Sequence, residues 1–316
     1  MYDIILRNAN IIKGNLDPCY IGDICIKEGK IEKVGKTDST KGNKVIDCTG
    51  LYVSPGFIDS HSHDDLAFGN EFTELGKISQ GITTVVAGQC GISKAIIKKE
   101  NAHLIQKNIS VIAPVEINEL IKYTSYKKYK EDLEKKKHML NYKLLVGHGT
   151  IKMAVMGVEQ REPTIDELNE MKNMISEAME NGAAGMSTGL IYPPGVYSAK
   201  NEIVELLKVV KKYNGFYATH MRNESEKVVE AVEEAISTAK EAGVPLTISH
   251  HKIAGKKSWG LSKETLRIID ENIKNGMNIT LDQYPYNSGA SNLYMVLPPH
   301  LYKGGVTKMV ERIKDK

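Results

Sequence analysis

The chain has 316 residues, 41% of them hydrophobic and 26% charged, which suits a globular protein with a barrel-sized core and a small accessory domain. Its 42 basic and 39 acidic residues leave a net charge of only +3, and the lysines are spread along the chain, so nucleic acid is excluded as an expected partner. No uncharged apolar run is long enough to cross a bilayer, and the N-terminus has no basic region followed by an apolar core. The expectation is therefore a cytoplasmic protein with no membrane partner.

The first residues read as short strands broken by turns, at 3–7, 23–27, 30–34 and 44–46, with Glu28-Gly29 as a hairpin turn. They predict the N-terminal part of a small β-sandwich over residues 1–52. After Pro55-Gly56 the pattern changes to apolar runs alternating with helical stretches, the signature of repeated βα units. The strand candidates are 57–60, 83–87, 143–146, 184–187, 216–219, 246–249 and 278–281.

Helix signals lie between them. Thr164-Ile165-Asp166-Glu167 forms a capping box, Leu168, Met171, Ile175 and Met179 share one face, and Gly182 ends the run. Val228, Val232, Ala235, Ile236 and Ala239 recur at helical spacing, a stripe that packs on a sheet. The predicted fold is α/β, a (β/α) barrel of the metal-dependent-hydrolase type over residues 53–286 with seven of eight strands. Residues 287–316 are expected to begin an insertion before the eighth.

In such barrels the reacting groups follow the strands. The first run ends in Asp59-Ser60-His61-Ser62-His63, and strand alternation puts His61 and His63 on one face. The second ends in Gly88-Gln89-Cys90-Gly91, a thiol between glycines that permit unusual backbone angles. The fifth and sixth runs lead directly into His220 and His250. A thiolate with two imidazoles is a three-ligand zinc set with one position left open, the arrangement of a catalytic site. His251 is expected to face away from His250, and His148, after the third run, either lines the pocket or orients a loop. Cys19, Cys25 and Cys48 have no comparable setting and read as structural.

The segments GFIDSHSHDD, GITTVVAGQCGIS, LVGHGTIK, GAAGMSTGLIYPPG, YATHMRNE, ISHHK and LDQYPY resemble the D-aminoacylases, the N-acyl-D-amino-acid deacylases of the amidohydrolase superfamily, from about residue 3 to residue 299. The resemblance implies zinc-dependent hydrolysis of a small-molecule N-acyl-D-amino acid to a carboxylate and a free D-amino acid. It implies one tightly held zinc on Cys90, His220 and His250, with His61 and His63 near a second, weaker metal position. Many superfamily relatives carry a carboxylated lysine on the fourth strand; here the fourth run ends Gly185-Met186-Ser187, and Cys90 is read as its substitute.

The resemblance further assigns the substrate to Lys252, Tyr284, and Ser288 or Ser291. It places the general acid/base aspartate at an eighth strand, beyond residue 316, so that no catalytic residue is assigned within the chain and Asp64, Asp65 and Asp282 are not promoted. A further C-terminal segment or a second polypeptide is expected to supply the remainder. Two alternatives stand beside this reading: a cyclic amidase of the dihydroorotase or hydantoinase kind, and a catalytically inactive metal-binding fragment. The preferred D-amino-acid side chain is left unassigned.

Overall fold

The computed structural model describes the chain except residues 39–40, 68–70, 111, 290–296, 298–300, 302–304 and 315–316; Ser291 falls outside the described residues. The chain divides into two compact units, Met1–Phe57 and Ile58–Lys316.

The smaller unit is a five-stranded sheet made of β1 (Tyr2–Ile11), β2 (Tyr20–Lys27), β3 (Lys30–Gly35), β4 (Gly42–Asp47) and β5 (Tyr52–Val53). The order is β3-β2-β1-β4, with β5 also paired to β1. Glu28 and Gly29, at φ 50° and 72°, form the two-residue turn whose twist matches an antiparallel hairpin. β1 runs longer than expected because Ala9 and Ile11 stay buried after a bulge at Asn8 (φ 56°), and they pack with Ile24 and Cys48.

The larger unit is built on a seven-stranded sheet whose order follows the sequence: β6 (Phe57–Asp59), β7 (Ile82–Ala87), β8 (Asn141–Gly147), β9 (Gly185–Gly189), β10 (Phe216–His220), β11 (Leu246–Ile248) and β12 (Ile279–Leu281). The pairings from β7 through β12 are parallel. A flat sheet would hold its first and last strands about 29 Å apart, six spacings of ~4.8 Å. His61, just after β6, instead lies 3.2 Å from Asp282, just after β12, so the sheet is curled into a half-barrel.

Helices pack on the outside of the curl. Ile165–Glu180 opens on the Thr164/Glu167 capping box and buries Met171, Ile175 and Met179. Val228–Ala242 buries Val228, Val232, Ala235, Ile236 and Ala239, the stripe read from the sequence, and stops at Gly243 in the left-handed conformation. Among the described residues no helix is long and apolar enough to cross a membrane.

Candidate metal centre

The predicted ligands stand at or shortly after the C-terminal ends of their strands; β6 ends at Asp59, so His61 and His63 lie in the segment after it and not at alternating strand positions. Cys90 Sγ lies 3.3 Å from His61 Nε2 and 3.5 Å from His250 Nε2. The His220 and His250 rings meet edge-on at 4.4 Å, and the His61 ring is 5.8 Å from that of His63. Among the described residues two sets place their ligand atoms within 4.8 Å of one another: His61, Cys90 and His250, and His220, Glu224 and His250. His61 thus lies in the same cluster as Cys90 and His250.

Two carboxylates that the sequence reading passed over hold the imidazoles. Asp282 Oδ1 is 3.1 Å from His61 Nδ1 and accepts the His250 backbone N–H at 2.6 Å. Glu224 Oε1 is 2.8 Å from His250 Nδ1 and 3.9 Å from His220 Nε2. A carboxylate at Nδ1 fixes the proton there and turns the Nε2 lone pair outward, which is how ligating histidines are oriented. Lys252 Nζ also lies 3.1 Å from His250 Nδ1, but a protonated Nδ1 cannot accept from an ammonium, so Lys252 is held by Glu224 Oε2 at 2.6 Å.

The electrostatics follow from this crowding. Burial raises the Cys90 thiol, yet hydrogen bonds from His220, His250, His61 and His63 outweigh it and hold the group well below the usual thiol range. Burial lowers His61, but Asp282 and the Cys90 sulfur push it up to about 10. Burial likewise opposes ionisation of Glu224, which His250, His220 and Lys252 hold down to about 2. A thiolate and two carboxylates facing four imidazoles make a donor set suited to a divalent cation. The buried His63 Nδ1 and His220 Nε2 have no hydrogen-bond partner among the described residues, so lone pairs remain for one to take.

The amidohydrolase family model matches residues 44–313. The chain belongs to the amidohydrolase family. A D-aminoacylase of Alcaligenes xylosoxydans xylosoxydans is 36% identical over 295 residues, which cover 92% of this chain and 59% of that protein. The structure of an N-acyl-D-glutamate deacylase from Bordetella bronchiseptica, complexed with zinc and a phosphonate mimic of the tetrahedral intermediate, superposes with a TM-score of 0.81 at 34% identity, covering 90% of this chain and 59% of that one. A D-hydantoinase structure, with a TM-score of 0.56 at 16% identity over 94% of this chain and 60% of its own, shares the fold alone. The chain spans about three-fifths of the length of the curated relatives it matches.

Of the substrate-binding candidates in this amidohydrolase-family chain, Lys252 Nζ sits 5.6 Å from the centre of the Tyr284 ring, and Ser288 is exposed. His251 faces away from the cluster, onto Thr265 Oγ1 at 3.0 Å. His148 is not at the cluster contacts: it is fully buried with its Nε2 2.8 Å from Glu202, beside Lys152 and Ser198. Tyr192 also escaped the sequence reading. Its hydroxyl donates to the Cys90 carbonyl and its ring meets His220 edge-on at 5.2 Å. The signals for these residues were present: Glu224 closes YATHMRNE, Tyr192 lies in STGLIYPPG, and Asp282 directly follows the seventh run.

Proposed function

We propose that the protein hydrolyses the amide bond of an N-acyl-D-amino acid to a carboxylate and a free D-amino acid, using one zinc held by Cys90, His220 and His250, with His61 and His63 toward a second, weaker position. What supports a metal here is a buried sulfur facing the Nε2 atoms of His61 and His250 at 3.3 and 3.5 Å, each ring anchored through Nδ1 by a carboxylate, with the His220 ring meeting that of His250 edge-on at 4.4 Å. Bound there, zinc supplies Lewis acidity toward an amide carbonyl and lowers the pKa of a water.

The chain's own residues do the rest. Asp282 and Glu224 accept from Nδ1 of His61 and His250 and so orient their Nε2 atoms. Lys252 offers an ammonium to the substrate carboxylate by a charge-assisted hydrogen bond, and Tyr284 and Ser288 offer hydroxyls to the carboxylate and the reacting carbonyl. Proton transfer to the leaving amine is assigned to the aspartate that the family resemblance places at an eighth strand, because Asp282 and Glu224 are already engaged by imidazoles.

The test is a parallel assay of the zinc-loaded protein on N-acetyl-D-amino acids, their L-enantiomers, and cyclic amides such as hydantoins and dihydroorotate. Release of free D-amino acid is expected when the segment that carries the acid/base aspartate accompanies the chain, and the chain alone is expected to be inactive. Preference for the cyclic substrates would replace this reading with a cyclic amidase, and bound zinc without any turnover even with that segment would leave a metal-binding protein.

A further inference from the structure

Cys90 sits in a backbone conformation that needs support. Its φ of 55° is left-handed, a region costly for a residue with a side chain, and Gly88 and Gly91 around it are left-handed too, at 77° and 73°. A turn of this kind holds its shape only if its polar backbone groups are fixed. Gly88 N–H donates to Asp65 Oδ1 at 3.2 Å, and the Gln89 carbonyl accepts from Ile92 N–H at 2.9 Å. The Cys90 carbonyl accepts from the Tyr192 hydroxyl, and the Gly91 carbonyl from Thr150 N–H at 3.1 Å.

Two further groups, the Gly88 carbonyl and the Gly91 N–H, meet at one atom. Ser187 Oγ, fully buried on β9, accepts from Gly91 N–H at 2.9 Å and donates to the Gly88 carbonyl. Bridging a donor and an acceptor through a single atom requires a hydroxyl; an alanine leaves both buried groups unpaired. The hydroxyl thus closes the turn from its first residue to its last, across the sulfur-bearing residue between them.

We propose that Ser187 is a positioning residue that sets where the Cys90 sulfur stands as a metal ligand. The inference rests on the reading of Cys90 as that ligand. The neighbouring residue provides an internal control: Thr188 is equally buried, but its hydroxyl bonds to Tyr217 Oη and Thr219 Oγ1, both at 2.8 Å, and not to the turn.

The experiment titrates the full metal-free chain with Co2+, follows the thiolate-to-cobalt absorption band, and measures affinity by chelator competition for the wild type, S187A, S187T and T188V. The wild type is expected to show the band. S187A should lose roughly 10–100-fold in affinity, with a weakened or displaced band, the effect typical of removing a group that orients a ligand. T188V and S187T, whichever stability they lose, should keep the wild-type band and affinity. A wild-type response in S187A, or an equal loss in T188V, overturns the role of Ser187 while leaving Cys90 a ligand. Absence of the band in the wild type overturns the ligand reading and the inference together. If circular dichroism shows S187A unfolded, S187T decides: binding like the wild type supports the hydroxyl bridge, and a loss refutes it.

Discussion

Replacing Glu202 by glutamine removes one charge from a cluster sealed inside the larger unit. Glu202 is 4% exposed, and its carboxylate lies 2.7 Å from the fully buried Lys152 Nζ and 2.8 Å from His148 Nε2. Burial works against the carboxylate, but His148 and Lys152 hold it down to about 2 from its usual 4.5. That difference of about 2.5 pKa units, at 1.36 kcal/mol each, corresponds to ~3 kcal/mol of stability. Leaving Lys152 buried without its counter-charge gives a similar figure, about 3–5 kcal/mol. Because the folded pKa lies below the unfolded one, this stabilisation is complete above about pH 4.5 and is lost as pH falls toward 2. Urea unfolding of wild type and E202Q from pH 8 to pH 3 should show a constant gap of ~3 kcal/mol down to about pH 5, then a shrinking one. A gap under about 1 kcal/mol at neutral pH, within the range of ordinary surface changes, or one that does not change with pH, refutes the argument.

Three further outcomes follow from contacts already described. E224Q and D282N, which weaken the hold on His250 and His61, should each lower zinc affinity about 10–100-fold in chelator competition. G88A should melt far below the wild type or fail to fold. Its Cβ would stand 2.2 Å from the Leu145 carbonyl oxygen at a φ of +77°, a clash plus strain worth at least about 3 kcal/mol. T164A breaks a complete capping box at the start of Ile165–Glu180 and should cost ~1 kcal/mol by denaturant midpoint, with metal binding unchanged.

Strands such as β7, β8, β10 and β11 were legible because each is a largely buried run ended by a turn signal, and Cys90, His220 and His250 drew attention because each lies at or within three residues of the end of such a run, whereas β6 and β12 are mostly exposed and β9 is Gly-Met-Ser-Thr-Gly. β5, two residues long, carries no periodicity to read. The extension of β1 was hidden by the bulge at Asn8, which shifts the alternation between Leu6 and Ala9. Glu224 and Asp282 looked like ordinary acids after strands, since what marks them is a partner elsewhere in the chain: Asp282 is 221 residues from His61. His148 follows β8 as the candidate ligands follow their strands, yet it opens the helix His148–Met156 and is buried against Glu202 on the helix Lys200–Lys212. Position after a strand locates the rim of a barrel; it does not say which way a side chain turns from it.

The Asp282–His61 contact also has a consequence for the chain as it is made. Synthesis at about 5–20 residues per second takes roughly 10–45 s to lay down the 221 residues between the two partners. For all of that interval but the first 29 residues, His61 and Cys90 have both been made without the carboxylate that orients His61. Only when the seventh strand has been made can the cluster around the sulfur be completed.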